Sequence, residues 1–255
     1  MPTRNTAGFL SINFWHEQSK VLRNDQKYLV RTGEGTFAIF NELEFPRPYL
    51  MLDEQELVVN ATKLRGETPS RYKELIEVFE STPTEDATIE YLRFAGIYDS
   101  VIESVTGKMH SYVGGVRGGT TVGFDMYMRK KAGSIVRVDG FLGQAELDYS
   151  IWTSEDDGNS IFLIEAKKGP RGQGLDVGWH KFVYPAAKLA KYGQDKMRIY
   201  PMYLLRRPNY VLLVIFQRLM FYMSSGIVLN DQSQMKPDRT FVLPMQPSVN
   251  EFEST

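Results

Sequence analysis

The chain has 255 residues, with 30 Lys and Arg against 31 Asp and Glu, 42% hydrophobic residues and no cysteine. That composition fits a globular protein with a sizeable core. It excludes a disordered or collagen-like chain, a disulfide framework, a thiolate zinc site and a cysteine nucleophile.

The first fifteen residues lack the apolar stretch of a secretory signal. Through residue 60, short apolar runs alternate with turn signals and read as strands and loops. A helix is predicted over 70–81, where Tyr72, Leu75, Ile76 and Phe79 recur at helical spacing. After a Thr-Pro break, a second helix is predicted from near Thr84 to a stop at Gly107. Its apolar stripe is Ile89, Leu92, Tyr98, Val101, Ile102 and Val105. Residues 111–143 read as strands joined by tight turns. Within them "GGVRGG" at 114–119 lacks the Gly-Lys-Ser/Thr ending of a nucleotide-binding loop and reads as a hairpin tip, with Arg117 placed to touch a ligand.

Strands are predicted at 145–153 and 160–167, joined as a hairpin at Asp157-Gly158. A helix over 177–193, bent near Pro185, is followed by strands at 198–205, 210–216, 227–229 and 240–243. The most apolar run, 211–216, is too short for a membrane span, so a protein away from membranes, inside the cell, is expected. The organisation read from these elements is an α/β fold with a central mixed sheet flanked by helices. An N-terminal extension (1–83) packs on a core (84–245), and a disordered tail (246–255) follows.

Charge is uneven along the chain. Residues 1–109 carry 12 basic and 17 acidic side chains, whereas 161–220 carry 11 and 3. Such a basic segment is commonly a solvated face, but this one begins at the strand that carries the candidate chemistry. With a two-residue turn at 157–158, Asp148 faces Lys167 across the hairpin. Glu146, Asp148, Glu165 and Lys167 then project from one face. The "IFLI" before Glu165 is apolar on both faces, as in a central strand.

Three carboxylates and a lysine are costly to bury unless they are balanced. Mg²⁺ or Mn²⁺ on Asp148 and Glu165 would balance them, and Lys167 would orient or deprotonate a water attacking a phosphodiester. The plainer alternative is a surface ladder in which Asp148 and Lys167 pair across the hairpin. An acidic helix upstream, apolar strand flanks and a basic segment downstream favour chemistry. A sugar hydrolase built on two carboxylates would leave the lysine unexplained.

"GQAELDYSIW" followed by "IFLIEAKKG" resembles the PD-(D/E)xK nucleases, which share the restriction-endonuclease-like fold and include Holliday-junction resolvases. There the Asp and the Glu-x-Lys lie on adjacent core strands, often with Glu-hydrophobic-Asp first, as in Glu146-Leu147-Asp148; Leu147 replaces the familiar Pro. The likeness is close over about 25 residues and extends over 85–220 by order of elements.

It implies metal ligation by Asp148, Glu165 and the Ala166 carbonyl, with Lys167 as the catalytic lysine. It also implies a helix-borne Glu reaching the metal through water, Glu90 or alternatively Glu103. The implied activity is Mg²⁺- or Mn²⁺-dependent endonucleolytic hydrolysis of DNA rather than RNA, leaving 5′-phosphate ends, with a homodimer as the common arrangement for cutting two strands. Lys168, Arg171, Gln173, Lys181 and Arg117 are candidate nucleic-acid contacts. Trp179, His180 and Tyr184 read as structural. A catalytically inactive nucleic-acid-binding or protein-interaction module on the same scaffold is the alternative.

Overall fold

Three runs of aliphatic and β-branched residues, in 160–168, 198–206 and 210–216, are apolar on both faces, and this places them at the centre of a sheet covered on both sides. The computed structural model describes residues 14–33, 36–65, 73–81, 84–107, 112–113, 118–123, 125–138, 142–153, 159–193, 197–221 and 226–245. A 3-10 turn (Trp15–Glu17) precedes α1 (Lys20–Asn24), β1 (Lys27–Gly33), β2 (Thr36–Asn41), α2 (Glu54–Val59), β3 (Thr62–Lys63), α3 (Lys73–Ser81), α4 (Glu85–Phe94) and α5 (Ile97–Thr106). Then come β4 (Tyr112–Val113), β5 (Gly118–Gly123), β6 (Met126–Arg129), β7 (Ile135–Val138), β8 (Leu142–Leu147), β9 (Tyr149–Thr153) and β10 (Ser160–Lys168). The chain continues through α6 (His180–Gly193), β11 (Arg198–Arg206), β12 (Tyr210–Phe216), β13 (Ile227–Val228) and β14 (Pro237–Pro244).

The result is an α/β protein whose main sheet has seven strands in the order β3-β14-β12-β11-β10-β9-β4. The sheet is mixed: β10 and β11 run parallel from Ser160↔Arg198 to Lys168↔Arg206, while the pairs β9–β10, β11–β12 and β12–β14 are antiparallel. A parallel pair needs a crossover, and α6 supplies it. Strand alternation sends Ile161 and Leu163 to the face covered by Trp179, Phe182 and Val183. Phe162, Ile164 and Ala166 go to the face covered by α4 and α5 through Ile89, Leu92 and Val101. Glu165 and Lys167 continue the first series, at the carboxyl end of the parallel pair, where open α/β sheets form their ligand crevices.

The region before residue 84 contributes to this core. Tyr28, Val30, Leu50 and Leu57 belong to the α6-side cluster, and β3 pairs parallel with β14 at the sheet edge. Asp53 caps α2, which the apolar pattern does not announce, by accepting from the backbone N–H groups of Gln55 and Glu56. No helix among the described residues is long and apolar enough to cross a membrane.

Two predicted elements are divided. The helix expected from Thr84 to Gly107 is the pair α4 and α5, interrupted at Gly96, whose φ of 67° is left-handed. An L-residue pays for that conformation, so Gly96→Ala is expected to destabilise the protein by about 1–2 kcal/mol in urea denaturation. Crowding is not the cause, because an added Cβ would meet only Asp99 Oδ2, at 3.8 Å.

The strand expected over 145–153 breaks at Asp148. β8 pairs with β5, and β9 alone pairs with β10. The observed partners, Thr153↔Ser160 through Tyr149↔Ile164, are shifted by two residues from those a turn at 157–158 requires. Asp148 therefore does not face Lys167 in the ladder. That turn, Arg117 and the tail 246–255 lie outside the described residues.

Candidate active site

The break at Asp148 builds the site. Pairing between β9 and β10 ends at Tyr149↔Ile164, and the N–H of Ala166, beyond it, donates instead to Asp148 Oδ2 at 2.9 Å. A backbone donor that must be satisfied thus fixes a carboxylate beside Glu165. A shift of two residues preserves the parity of the strands, so Asp148, Glu165 and Lys167 still meet.

Lys167 lies at the centre of the cluster. Its ammonium donates to the Ala166 carbonyl at 2.7 Å and lies 2.8 Å from Glu165 Oε1, 3.5 Å from Glu85 Oε2 and 3.8 Å from Asp148 Oδ2. Lys181, one residue into α6, approaches the same carboxylate: its Nζ is 3.8 Å from Glu165 Oε1 and 3.5 Å from Glu146 Oε2. The Glu165 side chain is only 3% exposed, and those of Lys167 and Lys181 are 16% and 12%.

Burial pushes the Glu165 carboxyl above the ordinary carboxylate range, against the pull of Lys181 and Lys167, with Asp148 adding to the rise. Burial alone would lower Lys167, but Glu165 and Asp148 outweigh it and hold the ammonium above the ordinary lysine range. The two upward shifts have different origins: burial dominates at Glu165, whereas at Lys167 the surrounding carboxylates outweigh burial.

The donor set is chemically suited to a hard divalent cation. It is made of oxygens, it already encloses one cationic group, and Glu165 Oε1 is buried beside Lys167 without a well-aligned hydrogen bond. Among the described residues no three His, Cys, Asp or Glu side chains converge by themselves as a ligand group, since the carboxylates are gathered around the ammonium.

The helix-borne carboxylate beside Lys167 is Glu85. Glu90 is held by Arg93, 2.7 Å away on the next turn, and Glu103 is exposed on α5. Five residues of helix turn Glu90 about 140° away from Glu85. Thr84 caps α4 by accepting from Ala87 N–H, and this brings the first residue of the helix to the end of the sheet. Glu85, rather than the expected Glu90 or Glu103, therefore takes this position, and the signal for it in the sequence is the Thr84 cap that precedes it.

Beyond Lys168 the chain folds over the strand ends. Gly174 (φ 71°) leaves room for Tyr203 Oη and Leu205, and the Lys167 Cβ would lie 3.7 Å from a Cβ added there. This loop is tied to α2 by a buried network that sequence reading missed. Arg207 donates to Glu54 through Nε and Nη2 at 2.5 and 2.9 Å, and to the carbonyls of Gly169 and Gln173 at 2.9 and 2.7 Å. Glu54 also accepts from Tyr210 Oη and Gly172 N–H.

A cleft of about 1030 Å³ opens here, lined by Lys167, Glu85, Lys168, Arg171, Gln173 and, from the N-terminal region, His16. The exposed Lys168, Arg171 and Gln173 thus share a cavity with Lys167, while Lys181 turns inward to the carboxylates.

No family model, curated protein or solved structure matches the chain. Trp179 and Tyr184 are buried, the first against Phe182 and Phe216, the second donating to the Arg31 carbonyl, so neither presents a ring to a base. Burial, with Lys181 and Arg31 nearby, pulls His180 down to about 3, which removes it as a proton-carrying group at neutral pH.

Proposed function

We propose that the chain is a metal-dependent nuclease that hydrolyses phosphodiester bonds, DNA ahead of RNA, on a restriction-endonuclease-like core. The observation that carries this reading is the Lys167 ammonium enclosed by oxygens of Ala166, Glu165, Glu85 and Asp148 at the carboxyl end of a parallel strand pair, on an open cleft. The order of elements agrees with it: a capped acidic helix, Asp148 at the break between β8 and β9, β10 carrying Glu165-Ala166-Lys167, a crossover helix, and a parallel strand.

Asp148, Glu165 and the Ala166 carbonyl would hold Mg²⁺ or Mn²⁺, which when bound lowers the pKa of water and stabilises charge on phosphate. Lys167 orients the attacking water and stabilises negative charge that develops as it loses its proton. Lys181, whose ammonium approaches the same Glu165 oxygen as that of Lys167, helps to hold the carboxylate in place. The cleft lining also includes Glu17, Asp53, Glu54, Glu85 and Asp176 against Lys167, Lys168 and Arg171. An anionic strand entering so acidic a space needs a cation between, which argues for metal dependence and against simple electrostatic capture.

Labelled single-stranded, duplex and branched DNA and single-stranded RNA, incubated with the full chain in Mg²⁺, Mn²⁺ or EDTA, test the reading. Cleavage in either metal, none in EDTA, and product ends that a ligase rejoins are expected. Binding without cleavage of any substrate would favour the non-cutting module instead. Undiminished cutting in EDTA would overturn the metal.

A further inference from the structure

The cleft holds one constellation that this chemistry does not use. His16, on the 3-10 turn, is tied to Asp176, which lies 160 positions later in the loop beyond Lys167. The His16 backbone N–H donates to Asp176 Oδ2 at 2.8 Å, and ring Nδ1 lies 3.0 and 2.9 Å from Oδ1 and Oδ2. The ring stacks on Phe14 at 5.3 Å, and Trp15 N–H donates to the Asp176 carbonyl at 2.9 Å. Position and orientation of the imidazole are therefore set by three contacts. Yet the side chain is 60% exposed, and it lines the cavity that Lys167, Lys168 and Arg171 also line. Occupation of Nδ1 by the carboxylate leaves Nε2 as the nitrogen for a ligand.

We propose that His16 is a substrate-positioning residue that contacts a phosphate oxygen of the bound strand through Nε2, with Asp176 orienting the ring. The inference rests on the reading of the cleft as a nucleic-acid site. With both ring nitrogens protonated, the imidazolium bridges Asp176 and the phosphate, giving a charge-assisted hydrogen bond at each end. Lys168 and Arg171 supply point charge and a planar fork; a ring held by three contacts supplies a fixed direction, so it sets where along the cleft the strand lies relative to Lys167.

The rival role for the dyad is a staple that fastens residues 14–17 to the loop, and two conservative variants separate the roles. His16→Asn places an amide nitrogen where Nδ1 lies, which keeps the Asp176 contact and removes Nε2. His16→Gln reaches to the Nε2 position and gives up Nδ1. Binding of a fluorescein-labelled oligonucleotide to the full chain is followed by anisotropy in Ca²⁺ across a salt series, beside thermal melting.

A phosphate contact predicts that His16→Asn melts like the wild type, binds about tenfold more weakly and shows a shallower slope of log affinity against log salt, by about one. His16→Gln should bind more tightly than His16→Asn although it melts lower. Wild-type affinity and slope in His16→Asn, with the loss confined to the melting of His16→Gln, would overturn the proposal and leave a staple. If the wild type binds no oligonucleotide, the nucleic-acid reading of the cleft falls, and the proposal with it.

Discussion

Lys167→Ala is expected to lose roughly 10²–10⁴-fold in the rate of phosphodiester cleavage, the range associated with a positioned proton-handling group. The lysine touches every oxygen group of the cluster described above, and among these residues it also faces the cleft. Its loss should not unfold the chain. Glu165 keeps Lys181 at 3.8 Å as a second cationic neighbour, so its carboxylate is not left without one. Near-ultraviolet circular dichroism and a melting curve establish that the variant is folded, and a single-turnover assay at saturating metal reads the chemistry. Equal cutting by variant and wild type would remove Lys167 from the catalytic role.

How much of this can be read from sequence depends on the length scale of the signal. The strands β10, β11 and β12 are announced by apolar runs that need no partner to be recognised, and α6 by its spacing. The shared face of Asp148, Glu165 and Lys167 follows from alternation alone, so it survives a register displaced by two residues. The register itself depends on the connection between Thr153 and Ser160, which no period in the flanking strands encodes. The division of α4 from α5 depends on one residue, Gly96, adopting a positive φ inside a continuous apolar stripe.

The site was readable where its residues are neighbours in sequence, as Glu165, Ala166 and Lys167 are. It was not readable where folding brings distant segments together. His16 meets Asp176 and Glu54 meets Arg207, each across more than 150 positions. Neither pair is marked by local spacing, and the roles of Glu85 and Lys181 likewise depend on where a helix end arrives.

The Glu54–Arg207 pair should matter most for stability. Glu54→Ala leaves the guanidinium of Arg207, 2% exposed, without its carboxylate, and removes the acceptor of Tyr210 Oη and Gly172 N–H. Breaking a buried pair from one side costs about 3–5 kcal/mol, so a fall of that size is expected in urea denaturation near neutral pH. The same lesion loosens the 169–174 loop that Arg207 holds through the Gly169 and Gln173 carbonyls, and a weaker grip on substrate should accompany it.

The pH dependence has a definite sign. Burial opposes ionisation of Glu54, but hydrogen bonds from Arg207, Tyr210 and Gly172 and the charge of Arg207 outweigh it and hold the carboxyl down at about 2, against an ordinary value of 4.5. A depressed carboxyl stabilises the fold fully above its unfolded pKa and ceases to do so as pH falls through the folded one. The difference in stability between wild type and Glu54→Ala should therefore be constant above about pH 5 and shrink progressively between pH 4.5 and 2. A gap that stays constant down to pH 2 would mean that the pair is not what ties α2 to the loop behind Lys167.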